Sequence, residues 1–236
     1  MNNISLIIPL YNEENRIKKN LRFIENFLKK KEVEVIFVND GSDDGSDKII
    51  KNFKSKSKNK KLIKYISYKK NVGKGYAIKK GVLSSKREWI LICDLDMSVK
   101  PSQIDTWYKK RYILKKNEAY FGSRKHSLSK IKTSIFRKQL GVIFNLIIFF
   151  LFGIKIKDTQ CGFKLFNKNY AKFVFRKISS YRFSFDIELV LLLKKKNIKI
   201  RELPVNWTHA SGSKLNIFFD MPLMLYDLLK IRFKNI

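Results

Sequence analysis

Trp89-Ile90-Leu91-Ile92-Cys93-Asp94-Leu95-Asp96 is an apolar run that stops at two carboxylates. Having no polar alternation, it reads as a strand buried on both faces, with its carboxyl end meeting solvent. In an open α/β sheet, ligands collect at that end. Side chains alternate along a strand, so Asp94 and Asp96 are expected on one side, two hard oxygen donors able to share one Mg²⁺ or Mn²⁺ with a phosphate. A helix cap followed by a loop acid has the same pattern, so the neighbouring segments decide.

Upstream, Ile4 to Ile8 reads as a first strand closed by Pro9, and after Tyr11-Asn12-Glu13-Glu14 the residues Ile17, Leu21, Ile24 and Phe27-Leu28 fall at helical spacing. Val33 to Val38 reads as a second strand running into the turn-forming Asn39-Asp40-Gly41-Ser42-Asp43-Asp44-Gly45-Ser46, with a helix from about Ser46. Leu62 to Ser67 is a third strand. The glycine loop Asn71-Val72-Gly73-Lys74-Gly75 then opens a helix carrying Ala77, Ile78, Val82 and Leu83. This alternation predicts a parallel sheet with helical crossovers. Beyond Pro101 the pattern gives a helix through Tyr112, a strand over Ala119 to Gly122, a basic segment from Ser123 to Lys138 and the nearly continuous apolar run Leu140 to Phe152. That run is about 13 residues against the about 20 a bilayer span needs, so it reads as an interfacial or buried helix. Helices over Tyr170 to Phe175 and from about Asp186 to Lys196, a strand from Ile198 to Pro204 and a last helix capped by Asp220 and Pro222 complete the chain. Trp89 and Trp107 read as packing residues.

A length of 236 residues suits one large domain with a three-layer core. The formal charge of +31, from 51 Lys and Arg against 20 Asp and Glu, calls for an anionic partner: a nucleotide, an acidic membrane surface or nucleic acid. Nucleic acid is disfavoured because acids crowd the strand ends, where a polyanion is repelled. Cys93 and Cys161 lie far apart, which suits a reducing compartment without a disulfide or zinc cluster. The few residues before Ile4 do not read as a secretory signal, and a cytoplasmic location is expected.

Three turns rich in acids or amides follow strands: Tyr11-Asn12-Glu13, Asn39-Asp40-Gly41-Ser42 and Asp94-Leu95-Asp96. All are expected at one sheet edge, where carboxylates accept hydrogen bonds from an imide N–H or from hydroxyls and glycines let backbone approach a ligand. Such a set suits a nucleotide without a P-loop, since Gly73-Lys74-Gly75 lacks the spacing of a phosphate cradle.

Taken in order, Ile8-Pro9-Leu10-Tyr11-Asn12-Glu13, Val38-Asn39-Asp40-Gly41-Ser42, Asn71-Val72-Gly73-Lys74-Gly75, Asp94-Leu95-Asp96 and Gly122-Ser123-Arg124 resemble the family 2 glycosyltransferases of GT-A fold. The resemblance runs from about Ile4 to Arg232. Asp158 to Phe166, Trp207-Thr208-His209 and Gly212-Ser213-Lys214 are similar to the dolichyl- and polyprenyl-phosphate glucosyltransferase branch, beside the related mannosyltransferases. It implies an α/β, Rossmann-like and mostly parallel sheet flanked by helices in three layers. One GT-A domain would span 1–236, with a nucleotide-binding half, 1–100, and an acceptor-binding half with interfacial helices, 101–236.

Residue by residue, the resemblance implies that Pro9, Tyr11 and Glu13 line the base pocket, that Asp40 holds the base and that Lys74 joins the nucleotide-sugar contacts. Asp94 would sit near ribose and diphosphate, and Asp96 would bind the metal. Arg124 and Arg137 would contact phosphates of donor or acceptor, which a guanidinium fork suits. Thr159, Gln160, Cys161, Gly162 and His209 would border the acceptor. Asp186 and Glu188 are candidates for support near the sugar, or else helix-start acids favoured by the dipole.

The implied reaction is inverting transfer of a hexose to a polyprenyl phosphate, with glucose from UDP-glucose ahead of mannose from GDP-mannose. Met97-Ser98 stands where mannosyltransferase relatives often place a glutamine. A phosphate is already anionic, so alignment and charge would carry catalysis through Asp96, Arg124, Arg137 and Asp186, with Mg²⁺ or Mn²⁺ stabilising the departing diphosphate. The chain is expected to sit peripherally on an anionic membrane, at its cytoplasmic face, through Leu140 to Phe152, the last helix and basic charge. An integral-membrane partner protein is another route to the membrane, and an internal helix or a homo-oligomer contact is the other reading of that apolar run. The rival within the fold, a sugar nucleotidyltransferase, would show a glycine-rich basic signature that residues 4–16 lack.

Overall fold

The computed structural model describes residues 3–30, 32–113, 115–132, 135–209 and 217–233, with side chains at all of these except 30, 135–140 and 217–221. The chain opens with β1 (Ile4–Leu10), α1 (Glu14–Lys30), β2 (Glu34–Asn39), α2 (Ser46–Lys56), β3 (Ile63–Ser67), α3 (Lys74–Ser84) and β4 (Trp89–Ile92). After α4 (Gln103–Lys109) come β5 (Glu118–Ser123), β6 (Lys130–Lys132), α5 (Ile135–Phe152), β7 (Lys164–Asn167), α6 (Lys168–Lys177) and α7 (Phe185–Lys195). The chain then runs through β8 (Lys199–Pro204), β9 (Asn206–Thr208) and α8 (Ile217–Phe233). Seven strands form one sheet in the order β3-β2-β1-β4-β7-β5-β8, and β6 pairs with β9 beside it. Within the large sheet β7 alone runs antiparallel, against both β4 and β5.

Strand alternation sorts the side chains into two cores, one on each face. Leu6, Ile8, Val35, Phe37 and Leu91 pack with Ile17 and Ile24 of α1, Ile50 of α2 and Trp107 of α4. Ile7, Ile36, Val38 and Ile90 pack with Val82 of α3, Val174 of α6 and Leu189 of α7. The three-layer expectation holds, and both sheet faces are covered as an all-apolar strand requires. Trp89 and Trp107 are buried, and Trp107 donates Nε1–H to the Pro204 carbonyl at 2.8 Å.

Pro9 lies within β1, in register with Val38, and does not close the strand. Pairing of β1 with β4 ends near Ile7, whose carbonyl accepts from Cys93 N–H at 3.0 Å, so the donor that proline lacks faces past the end of β4. β4 itself ends at Ile92, so Asp94 and Asp96 are not alternate strand positions. They are grouped by a turn in which Met97, at φ 55°, donates N–H to the Asp94 carbonyl at 3.2 Å.

The sequence reading also misses β7, a four-residue strand with Lys and Asn at its ends and no alternation to betray it. It misses the short β6–β9 pair as well. α4 stops at Lys109, before Tyr112, with Arg111 at φ 53° just beyond. α5 begins at Ile135, well ahead of Leu140, and among the described residues no helix is long and apolar enough to cross a membrane. Pro222 lies inside α8, which starts at Ile217, so it is not the cap its usual first-turn preference suggests.

Candidate active site

The carboxyl ends of β1 and β2 are laced together by their own side chains. Asn12 and Glu13 N–H groups donate to Ser42 and Ser46 hydroxyls at 2.9 and 2.8 Å, and Asp43 N–H returns a bond to Asn12 Oδ1 at 3.0 Å. Asn12 adopts φ 51°, a left-handed turn that Asn tolerates well. Glu13 is held by a double contact to the Arg16 guanidinium, while the Tyr11 ring faces solvent.

Asp40, assigned to the base by resemblance, spends its buried carboxylate on the chain. Oδ1 accepts from the Tyr68 hydroxyl at 2.7 Å and Val72 N–H at 2.9 Å, and Oδ2 accepts from Asn71 Nδ2 at 3.0 Å and Gly73 N–H at 2.9 Å. Four donors fill the four lone-pair positions of a carboxylate. In this arrangement Asp40 fixes the 68–73 loop. Burial, with Asp40 beside it, pushes the Tyr68 hydroxyl far above its ordinary range, so it stays a donor. Gly73 takes φ 123°, and a Cβ there would fall 2.3 Å from the Tyr181 carbonyl oxygen, so only glycine fits.

At the end of β4, Lys74 in the first turn of α3 places Nζ 2.7 Å from Asp94 Oδ1. Burial alone would lower the Lys74 ammonium, but the charges of Asp94 and Asp186 outweigh it and hold the pKa above its ordinary value. A Cβ on Gly162 would collide with the Asp94 carboxylate at 1.9 Å, so this glycine lets the 158–162 loop lie against it. Asp96 Oδ1 accepts from Ser98 N–H at 2.9 Å. Burial and then the neighbouring Asp94 charge raise the Asp96 pKa, a repulsion that a bound cation would relieve.

Among the described residues no three His, Cys, Asp or Glu side chains converge on one point. Two adjacent carboxylates still match the demand of Mg²⁺ or Mn²⁺, which take one or two from protein and the remaining oxygens from substrate phosphate and water. The residues therefore fit a divalent ion that arrives with a diphosphate.

A second cluster lies beside the first. Arg124 grips Asp158 with Nε to Oδ2 and Nη2 to Oδ1, both at 2.8 Å, and its backbone N–H adds a third bond at 2.8 Å. Burial works to raise Asp158, but Arg124 wins and holds it below the ordinary carboxylate range. Asp158 and Lys157 N–H groups donate to Glu202, which fixes the loop from below. Around this pair, Ser123 Oγ, Thr159 Oγ1 and Gln160 Nε2 are buried with no hydrogen-bond partner among the described residues. Buried polar atoms are rarely left so, and such a set has the capacity to take a ligand or ordered water. Burial pushes the Cys161 thiol up to about 12 and Cys93 up as well, so both are neutral thiols and not nucleophiles.

His209 stacks on Trp207 with ring centroids 6.0 Å apart, and the Arg124 guanidinium lies over the Trp207 ring, 5.7 Å from its centroid. His209 also borders a groove of about 680 Å³ that reaches Asp96, with Arg16, Lys19 and Lys100 on its walls. Glu188 is turned from the site: its carboxylate accepts from Ser179 and Ser180 N–H and caps the loop before α7. Asp186 faces inward, where Lys164 Nζ meets its Oδ1 at 2.6 Å. Burial raises the Asp186 pKa, and Lys164 partly offsets the rise. Lys164 was not singled out from sequence, although a lysine between Phe163 and Leu165-Phe166 is a signal of a buried, paired cation. Arg137 falls in α5 with its side chain outside the described residues, as are Gly212 to Lys214.

A mostly parallel sheet between two helical layers, with an Asp-x-Asp turn at its carboxyl edge backed by Lys74 and Arg124, defines a glycosyltransferase of GT-A fold. The chain belongs to glycosyl transferase family 2, whose family model matches residues 5–175. It is 36% identical over 244 residues to the human dolichyl-phosphate beta-glucosyltransferase, covering 98% of this chain and 75% of that protein. The Dictyostelium discoideum protein of the same name is 35% identical over 98% of this chain and 74% of its own length. Among solved structures, glucosyl-3-phosphoglycerate synthase from Mycobacterium tuberculosis, in complex with Mn²⁺, UDP and glucosyl-3-phosphoglycerate, superposes with a TM-score of 0.68. That likeness covers 98% of this chain and 78% of the other at 13% identity, and it speaks to the fold alone.

Proposed function

We propose that the chain transfers glucose, with inversion, from UDP-glucose to a dolichyl or polyprenyl phosphate. The observation that carries this reading is the near full-length similarity to dolichyl-phosphate beta-glucosyltransferases, with the Lys74–Asp94–Asp96 group at the strand edge. In this reading residues 1–100 bind the nucleotide and 101–236 the acceptor. Pro9, Tyr11 and Glu13 border the base, Asp40 sets the loop around it, and Lys74 and Asp94 lie at the diphosphate. Asp96 and Asp94 hold Mg²⁺ or Mn²⁺, which when bound stabilises the charge of the departing diphosphate. Arg124, with Ser123, Thr159 and Gln160 around it, takes the acceptor phosphate, joined by Cys161, Gly162 and His209 along the loop and by Arg137 from α5. Asp186 accepts a hydrogen bond from a hydroxyl of the sugar. The acceptor oxygen is already anionic, so the residues need to align it with the anomeric carbon more than to deprotonate it.

The acceptor's long chain stays in a bilayer, and the apolar exposure of the molecule supports a peripheral mode of access. Val142, Ile143, Leu146, Phe149 and Phe150 of α5 are exposed, with Phe150 at 81%, and so are Leu223, Tyr226, Leu229 and Phe233 of α8. α5 lies beside the Arg124 segment, where Lys125 Nζ donates to the Gly141 carbonyl at 3.2 Å, and α8 lies beside the start of α7, at Ser184. We place this face on the cytoplasmic leaflet, where anionic lipid attracts the surrounding lysines. The test is incubation with a panel of nucleotide sugars, a polyprenyl phosphate and Mg²⁺ or Mn²⁺, followed by mass analysis of the lipid. A hexosyl-phosphoryl lipid from UDP-glucose is expected. Product from GDP-mannose alone would overturn the donor, and no lipid product from any donor would overturn the acceptor.

A further inference from the structure

Lys164 opens β7, the strand that runs against both of its neighbours, and its side chain is almost sealed from solvent, at 2% exposure against 7% for Asp186. Its ammonium lies 5.1 Å from the Phe121 ring centroid and 5.9 Å from that of Phe185. A buried ion pair is a poor way to fill a core, because an apolar pair of like volume is commonly as stable or more so. The pair sits at one end of a row of alternating charge. From β7 inward stand Lys164, Asp186, Lys74 and Asp94, the last ion pair at 2.7 Å. Glycine sets the spacing of the row: a Cβ on Gly75 would fall 2.6 Å from Phe185 Cβ, so its absence lets the start of α3 reach the start of α7. Lys164 takes Asp186 Oδ1, and Oδ2 accepts no hydrogen bond from the described residues.

We infer that Lys164 is a positioning residue, which locks the Asp186 carboxylate in one orientation so that Oδ2 is aimed at a hydroxyl of the transferred hexose. This rests on the transferase reading above. Lys164 acts only through Asp186 and does not itself meet the donor. A carboxylate free to rotate would still bind the sugar but hold it poorly for in-line attack, and small misplacements cost rate far more than affinity.

The test is a cycle of Lys164→Met, Asp186→Asn and the double variant, with Lys164→Arg as rescue, reading kcat and KM for the donor and UDP affinity by calorimetry. Lys164→Met should lower kcat about 100-fold while KM and UDP affinity stay within about twofold, and Lys164→Arg should recover most of the loss. In the Asp186→Asn background, Lys164→Met should cost less than about twofold more, since its only route of action is gone. Equal losses in both backgrounds, or UDP affinity falling in step with kcat, would overturn the inference. Should Lys164→Met alone fail to fold, Asp186→Asn against the uncharged double variant decides in the same way. Wild-type turnover in the same assay reports on the transferase reading separately.

Discussion

The two sides of the catalytic edge are built in opposite ways. On the β1–β2 side the buried Asp40 carboxylate is saturated within the chain by Tyr68, Asn71, Val72 and Gly73. On the β5–β7 side, Ser123, Thr159 and Gln160 are buried around the Arg124–Asp158 pair without partners among the described residues. Satisfied networks are rigid and keep their shape before a ligand arrives. An unsatisfied set favours whatever fills it. The contrast fits a donor side shaped in advance and an acceptor side that its ligand completes, with Asp94 and Asp96 at the seam.

The largest effect belongs to the seam. Asp96→Asn removes a charge from the proposed metal pair and should lower transfer about 1,000-fold, and excess chelator should reproduce the loss in the wild type. Undiminished turnover in both would remove the metal from the account.

On the acceptor side, Asp158→Asn leaves Arg124 without its counter-charge. It should cost about 2–3 kcal/mol, less than a fully buried pair because Arg124 keeps some solvent. Asp158 is held below the ordinary carboxylate range, so its contribution is fully present at neutral pH. It is lost progressively as pH falls from the ordinary carboxylate range, where the unfolded chain takes up the proton, to the lowered folded value. Melting temperatures of wild type and variant should therefore stay apart into mild acid and converge below it. A gap that closes well above the ordinary carboxylate range, or that does not change with pH at all, would contradict the pairing.

On the donor side, Asp40→Asn turns an amide toward N–H donors it cannot satisfy. It should cost about 1–3 kcal/mol of stability and weaken UDP binding about tenfold, read by calorimetry. Weakened UDP binding with unchanged stability would mean that Asp40 meets the base directly. Smaller still is the effect of Phe149→Asp with Phe150→Asp. It should leave folding intact and reduce flotation with anionic liposomes severalfold, whereas unchanged flotation would move the docking face off α5.

Much of the donor side could be read from the chain because its logic is local. The run Trp89 to Ile92 is apolar enough to name a buried strand without its neighbours, and Asn39 to Ser46 is turn chemistry within one short segment. The acceptor side was harder. Part of its geometry rests on Gly162, whose role is to admit a neighbour, Asp94, that the sequence does not name. Lys164 was missed because its partner, Asp186, is 22 positions away on another element, and because β7 pairs antiparallel between distant strands. Asp94 and Asp96 were grouped correctly but for the wrong reason, since a turn and not strand alternation brings them together.

Hydrogen–deuterium exchange tests the contrast between the two sides most directly, in the free protein, with UDP and Mn²⁺, and with a short-chain polyprenyl phosphate added. Peptides covering 71–77, whose Val72, Gly73, Tyr76 and Ala77 amides are bonded within the chain, should exchange slowly in all three states. Peptides covering 159–162 should exchange quickly until the lipid phosphate is present, then slow by about tenfold or more. Fast exchange at 71–77 that only UDP slows, or protection at 159–162 in the free protein, would contradict the account.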